Sequence, residues 1–337
     1  MSAVASPRWF PHYYEAAADL VAFVERDEAS YRAASFLDDS SLPPAAPRHP
    51  APWSQVAALV PADARRDAQY IFHIGHVGST LVSRLLGELP EVLALREPVI
   101  LRDFAACIAG ATWDPASIPV RIDTLTALLS RTFRSGQRAM VKASSPVSEI
   151  AAELVPPGSR ALLLYARPER YIANILAGEN SRVRHREEAE ARLRRLHRRT
   201  GEARWHAATM GEGAVIASAW ACEMGSLLAA ADRLGEGRIH WLDFDAFLAG
   251  PAAELGRLAG FFGLDPAAAR DLAEHPLMGR YAKALDHPFT PAAREALLAQ
   301  ARSEHAAALA EGMAWLGAAA DAAPHVARCL DAAAIAL

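Results

Sequence analysis

The chain has 337 residues, of which 52% are hydrophobic and 22% charged, a balance typical of folded globular proteins. Its formal net charge of -4 argues against a nucleic-acid-binding protein, because such proteins concentrate positive charge. Three cysteines, Cys107, Cys222 and Cys329, fit neither a disulfide framework nor a metal-ligand spacing. That cysteine pattern suits a reducing cytoplasm, and we expect no bound metal. We also see no signal peptide and no apolar run long enough for a membrane span, so we expect a cytoplasmic protein.

Residues 1–66 are predicted to form an N-terminal extension. Residues 1–37 are rich in Ala and Glu and predict helix, and the Pro-rich stretch 41–53 predicts an extended connector. The aromatic residues of this region are Trp9, Phe10, Tyr13, Tyr14 and Trp53. They either line a pocket or pack in the core, and we favour packing.

Five short apolar runs predict strands, at residues 70–74, 92–95, 139–142, 161–165 and 238–242. The first and fourth are nearly unbroken in apolarity, as expected of strands covered on both faces of a parallel sheet. Helical patterns at 81–89, 118–133 and 215–233 separate them, which predicts a doubly wound α/β domain over residues 67–320. The part after residue 251 is predicted to be mostly helical, including residues 292–316, with a tail at 321–337.

The most informative segment is YIFHIGHVGSTLVSRLLGEL, residues 70–89. A buried strand enters a turn that contains Gly75 and Gly78, and Ser79 and Thr80 then open an amphipathic helix. Unpaired amides and the helix dipole favour an anion at such a turn. The glycines let the backbone approach a phosphate, and the two hydroxyl groups can donate hydrogen bonds to it.

The turn does not match the phosphate loop of ATPases, G-x-x-x-x-G-K-[ST]. His73 stands at the position of the first glycine, and Ser79 stands at the position of the lysine. The missing lysine argues against ATP or GTP hydrolysis. The alternative is a turn that uses glycine only for tight strand–helix packing.

The turn resembles the 5′-phosphosulfate loop of sulfotransferases, whose usual form is (P)-(K/R)-S-G-(T)-T followed by a helix. Here Gly75, His76 and Val77 replace the family's Pro, basic residue and first Ser, and Gly-Ser-Thr at 78–80 completes the run. His76 can donate a hydrogen bond when neutral, but it supplies positive charge only when protonated.

The fourth predicted strand and its exit, LLLYARPERYIANIL, resemble the family's 3′-phosphate segment, R-(D/N)-P-R-D-V-x-x-S. Alignment on Pro168 places Ala166 at the family's Arg, Arg167 one position later, and Asn174 at the family's Ser. The resemblance implies that Arg167 and Asn174 contact the 3′-phosphate.

Two later segments, RIHWLDFDAFLAGPAAELGRLAGFFGLD and GRYAKALDHPFT, resemble the family's acidic run and its late basic loop. The resemblance places Asp245 at the acidic position and implies Arg280 and Lys283 as phosphate ligands. The four segments follow the family's order over about residues 70–290.

The resemblance implies a three-layer P-loop-like α/β fold that uses 3′-phosphoadenosine 5′-phosphosulfate (PAPS) as co-substrate. It implies in-line transfer of a sulfuryl group to a hydroxyl or amine of a small molecule or peptide. Glu97, just past the second strand at the carboxyl edge, is the predicted base, with His76 as the alternative. Glu97 could instead be a structural carboxylate paired with Arg96 or Arg102.

Lys142 ends the third predicted strand at the same edge. Its ammonium group either contacts the bridging oxygen or sulfuryl group, assisted by Ser144 or Ser145, or is a solvated strand terminus.

Residues 181–200, SRVRHREEAEARLRRLHRRT, contain eight Arg and three Glu. We favour a solvated, ion-paired helix here. Ser181 and Arg182 at its start are the residues that we expect to contact the 3′-phosphate.

Two other functions stay open: a kinase-like nucleotide enzyme on the same fold, and a non-catalytic relative that has kept the fold. Expected partners are the acceptor alone, without nucleic acid or a membrane span. The oligomeric state is open, with a homodimer as one option.

Overall fold

The computed structural model of the chain describes residues 4–335. The strands, in chain order, are β1 Trp9–Glu15, β2 Leu20–Glu25, β3 His49–Pro52, β4 Gln69–His73, β5 Val92–Arg96, β6 Arg138–Lys142, β7 Ala161–Tyr165, β8 Ile239–Asp243, β9 Arg280–Tyr281 and β10 Ala284–Pro288. The α-helices are α1 Glu28–Ala33, α2 Trp53–Leu59, α3 Ser79–Leu86, α4 Val99–Ala109, α5 Ile118–Leu129, α6 Ala151–Leu154, α7 Pro168–Leu176, α8 Glu179–Glu187, α9 Ala189–Thr200, α10 Glu212–Leu234, α11 Phe244–Ala249, α12 Pro251–Phe262, α13 Pro266–Asp271, α14 Pro291–Glu304, α15 Ala306–Ala322 and α16 Pro324–Ile335.

The central sheet has five parallel strands in the order β5-β6-β4-β7-β8. All five strands predicted from apolar runs are confirmed to within one residue at either end. Every residue of β4, β5 and β7 is buried, because helices cover both faces of the sheet. The α/β fold class with a central parallel sheet is therefore confirmed.

The strand order fixes where a ligand can bind. The chain leaves β4 towards β5 on one side, whereas β7 and β8 lie on the other side. Such a reversal opens a crevice outside the carboxyl ends of the central strands. The segments that follow β4, β5, β6 and β7 therefore converge at one edge.

The predicted N-terminal helix is wrong. Strands β1 and β2 form an antiparallel pair, β3 pairs with β2, and only α1 is helical within residues 4–37. The Ala and Glu content misled the prediction, because WFPHYYE and LVAFVE carry the aromatic and β-branched residues that favour strands. Residues 41–53 contain no regular helix before Trp53, as the proline content predicts.

Three of the five early aromatic residues are buried in the core, as we favoured for this group. Phe10, Tyr14 and Trp53 are buried, and Tyr14 makes edge contacts with Trp53 and Phe104. None of the predicted aromatic residues is among those that line the cleft described below.

The C-terminal third is helical, as predicted, but residues 292–316 form two helices, α14 and α15, that meet at His305. Residues 324–335, assigned to a tail from sequence, form α16, which packs against α10 and α15. Among the described helices, α10 alone has the length and apolarity to cross a membrane, and its most apolar window is 94% buried inside the protein.

Candidate active site

The loop between β4 and α3 is shaped by left-handed backbone. Gly75 and Gly78 have φ of +85° and +67°, and Gly75 N–H donates to His73 Nδ1 over 2.9 Å. Gly78 is the N-cap of α3, and no side chain forms a cap hydrogen bond there. The first-turn amides of α3 therefore remain available to an anion.

Gly78 also lies against the start of α11. A Cβ atom on Gly78 would overlap the Phe244 ring, so the backbone of the loop approaches that ring more closely than any other residue would allow. Glycine is required at this position for both its dihedral angles and its size.

Two buried hydroxyl groups at the cleft lack a hydrogen-bond partner among the described residues: Thr80 Oγ1 and Ser144 Oγ. Thr80 is 2% exposed and Ser144 9%. Both hydroxyl groups are therefore free to form hydrogen bonds with a ligand in the cleft.

Glu97 and Lys142 form an ion pair at the carboxyl edge, between Oε1 and Nζ. The parallel register places Arg96 beside Lys142, and Glu97 N–H donates to the Lys142 carbonyl oxygen over 2.6 Å. Lys142 is fully buried, and burial lowers its pKa although Glu97 opposes this effect. The alternatives of a solvated Lys142 and of Glu97 pairing with Arg96 are wrong.

Arg96 has a structural role instead. Its guanidinium group is buried and donates to the carbonyl oxygens of Tyr31, Arg32 and Ala34. This arrangement ties α1 to the end of β5 and leaves the Glu97 side chain to the cleft.

Glu97 and His76 both have positive φ, +51° and +55°. This conformation is uncommon outside glycine and costs on the order of 1–3 kcal/mol, so it persists only where surrounding contacts enforce it. The Asn174 side-chain amide supplies one such contact, donating to the His76 carbonyl oxygen over 3.1 Å.

His76 is neutral at physiological pH. Burial lowers its pKa to about 3, and nearby cations including Lys283 act in the same direction. It therefore does not replace the charge of the family's basic residue.

The cleft outside the sheet edge has a volume of about 550 Å³. The predicted site residues that line it are Gly75, His76, Val77, Gly78, Ser79, Thr80, Glu97, Lys142, Asn174, Ser181, Arg280 and Lys283. Four lining cations form no ion pair with a described carboxylate: Arg102, Arg184, Arg280 and Lys283. The cleft is thus built for an anion with more than one charged group.

No family model matches this chain, and no curated protein matches it. Among solved structures, the chain is similar to a sulfotransferase from Mycobacterium avium, with 14% identity over 74% of this chain and 79% of the other, and a TM-score of 0.39. A sulfotransferase from Alicyclobacillus acidocaldarius has 13% identity over 74% of this chain and 95% of the other, with a TM-score of 0.38. A sulfotransferase domain from the curacin biosynthetic pathway has 13% identity over 71% of this chain and 97% of the other, with a TM-score of 0.36. All three are sulfotransferases.

Arg167 and Arg182 do not line the cleft. Arg167 pairs with Asp243 at 3.5 Å and Arg182 with Glu212 at 3.4 Å, so both guanidinium groups have carboxylate partners. Asp245, at the family's acidic position, is bound by Arg170 and Arg294 and ties α7 to α14.

The Arg-rich segment 181–200 forms two helices, α8 and α9, which are ion-paired but not simply solvated. Arg192 and Arg195 pair with Glu223 of α10, and Arg199 pairs with Glu149 at 3.0 Å. The predicted ion pairing is confirmed, and its partners lie largely on other elements rather than within the segment.

Several residues that line the cleft carry no sequence motif that predicts a role for them. His73, Arg184 and His185 belong to this group. His185 Nδ1 donates to the Ser181 carbonyl oxygen, so in the neutral ring Nε2 accepts from Tyr171 Oη over 3.0 Å, and burial lowers the pKa of His185 to about 4. Arg184 could have been singled out by its position one helical turn from Ser181, whereas His73 carries no signal beyond ending a strand.

Proposed function

We propose that this protein is a sulfotransferase that moves a sulfuryl group from PAPS to a hydroxyl or amine of a small molecule or peptide. The observation that carries the proposal is the uncapped N-terminus of α3 in the same cleft as the buried Lys142–Glu97 pair. An anion site beside a carboxylate–ammonium pair suits group transfer from an anionic donor.

The residues present fit the donor. The α3 amides and the unpaired Thr80 hydroxyl suit the phosphosulfate group, and Ser79 at the ATPase lysine position leaves no requirement for a triphosphate. Arg184, Arg280 and Lys283, which lack carboxylate partners, suit the 3′-phosphate.

The chemistry is an in-line displacement. The acceptor oxygen or nitrogen attacks sulfur, the bond from sulfur to the bridging phosphate oxygen breaks, and adenosine 3′,5′-bisphosphate leaves. The Glu97 carboxylate takes the acceptor's proton, and the Lys142 ammonium group stabilises charge on the transferred group or the leaving oxygen.

Calorimetry and radiolabelled sulfate transfer test this proposal together. We expect adenosine 3′,5′-bisphosphate to bind and ATP to bind at least tenfold more weakly. The Glu97→Gln variant should bind the bisphosphate like the wild type but lose at least 100-fold in transfer to a panel of phenols, alcohols and amines.

Glu153→Gln is the matched control, because Glu153 pairs with Arg233 and does not line the cleft. It should transfer sulfate at the wild-type rate. Binding of ATP without the bisphosphate would favour the kinase-like alternative, and bisphosphate binding without any transfer would favour the non-catalytic one.

A further inference from the structure

His73 ends β4 and is buried at 5% exposure, with its side chain on the wall of the cleft. Its Nδ1 atom accepts the Gly75 N–H. An accepting ring nitrogen carries no proton, so in the neutral ring the proton lies on Nε2.

The Nε2 atom faces Glu97. It lies 3.9 Å from Glu97 Oε1 and has no hydrogen-bond partner among the described residues. Burial holds the pKa of His73 well below its usual value, and Lys142 and Lys283 act in the same direction, whereas the nearby Ala143 carbonyl opposes them. The ring is therefore a neutral donor.

Lys142 binds the same oxygen, Oε1 of Glu97. Oε2 forms no hydrogen bond with a described residue, and the Glu97 side chain is 22% exposed. The backbone of Glu97 is fixed by its bond to the Lys142 carbonyl oxygen. A carboxylate tethered in this way has one anchored oxygen and one open oxygen.

We propose that His73 is a positioning residue that, together with Lys142, anchors Oε1 of Glu97 and so presents Oε2 to the acceptor's proton. A carboxylate movement of about 1 Å brings Nε2 and Oε1 to ordinary hydrogen-bond distance. This inference rests on the proposed function, in which Glu97 is the base.

Two substitutions of His73 test the roles of its two ring nitrogens separately. In His73→Asn the amide oxygen can still accept the Gly75 N–H, but the donor towards Glu97 is lost. In His73→Gln the amide nitrogen reaches towards Glu97. Both are made in the full chain, and thermal unfolding establishes that each is folded.

We expect His73→Asn to bind adenosine 3′,5′-bisphosphate within about twofold of the wild type and to keep KM for the acceptor, while kcat for sulfate transfer falls about tenfold or more. His73→Gln should recover part of that loss. In the Glu97→Gln background, His73→Asn should cause no further loss, because His73 acts through Glu97.

A purely structural role, in which Nε2–H serves the Ala143 carbonyl, predicts lower stability with an unchanged kcat. That result in folded His73→Asn overturns the proposal, as does an additive loss in the double variant or a higher kcat in His73→Asn than in His73→Gln. If the wild type transfers no sulfate at all, the proposed function itself fails, which is distinguishable from a failure confined to the His73 variants.

Discussion

Thr80→Val tests whether the first turn of α3 holds an anion. Thr80 is 2% exposed and its hydroxyl has no partner among the described residues, so valine keeps the β-branched shape and removes an unsatisfied polar atom. Since an unpaired buried hydroxyl costs about 1–3 kcal/mol, we expect the free energy of unfolding of the ligand-free protein to stay level or rise by about 1 kcal/mol.

Ligand binding should change in the opposite direction. A hydrogen bond to a charged phosphate is worth about 1.5–3 kcal/mol, so the Kd for adenosine 3′,5′-bisphosphate should rise about 10- to 100-fold. Urea denaturation measures the first quantity and titration calorimetry the second. Gained stability with lost affinity is the signature of a group retained for a ligand.

Ser83→Ala is the matched control. Ser83 lies on the same helix, is fully buried and also lacks a hydroxyl partner, but it does not line the cleft. Its removal should spare affinity entirely. If Thr80→Val binds the bisphosphate as tightly as Ser83→Ala does, Thr80 is no phosphate ligand and the anion site at α3 loses its side-chain support.

Three further outcomes follow from the site. Gly78→Ala should weaken bisphosphate binding at least tenfold, because the added methyl group overlaps the Phe244 ring. Gly201 has a similar φ of +73° but lies in open space, so Gly201→Ala should lower stability by only about 1–2 kcal/mol and leave binding unchanged. Equal affinities of the two variants in calorimetry would contradict this. Lys142→Met should lower kcat at least 100-fold, because it removes the ammonium group that pairs with Glu97 in the cleft; a normal kcat refutes its role. The pKa of His185 is lowered to about 4, so between pH 6.5 and 4 the unfolded state binds one more proton than the folded state. The free energy of unfolding should therefore decrease as the pH is lowered, by about 2 kcal/mol at pH 5. Denaturation of His185→Gln at several pH values should show a smaller decrease, and equal pH slopes for the variant and the wild type would contradict this.

The five central strands could be predicted because a parallel strand covered on both faces is a short unbroken apolar run. Once those strands are placed, the carboxyl edge follows, and with it the positions of Glu97 and Lys142 just past β5 and at the end of β6. What the sequence could not supply is the strand order, and the β5–β6 adjacency is what makes these two residues a pair.

Long-range partners limited the rest of the prediction. Arg167 stands beside a motif proline but pairs with Asp243 from β8, more than seventy residues away along the chain. The strands β1 and β2 were missed for a similar reason, because their pairing with each other and the packing of β1 against α4 outweigh the helix propensity of the intervening alanines. Local sequence patterns therefore predict helices and strands better than they predict contacts between residues that are far apart in the chain.

The positions where local rules fail are informative about function. His76 stands where the family has a basic residue, and Glu97 directly follows the buried strand β5. Both residues adopt positive φ although neither is glycine, and both lie at the same edge of the sheet. A turn required only for packing would relieve that strain with glycine, as Gly75 and Gly78 do in the same loop. Keeping a side chain at 97 costs stability, and this cost supports the role that we propose for Glu97 in the cleft.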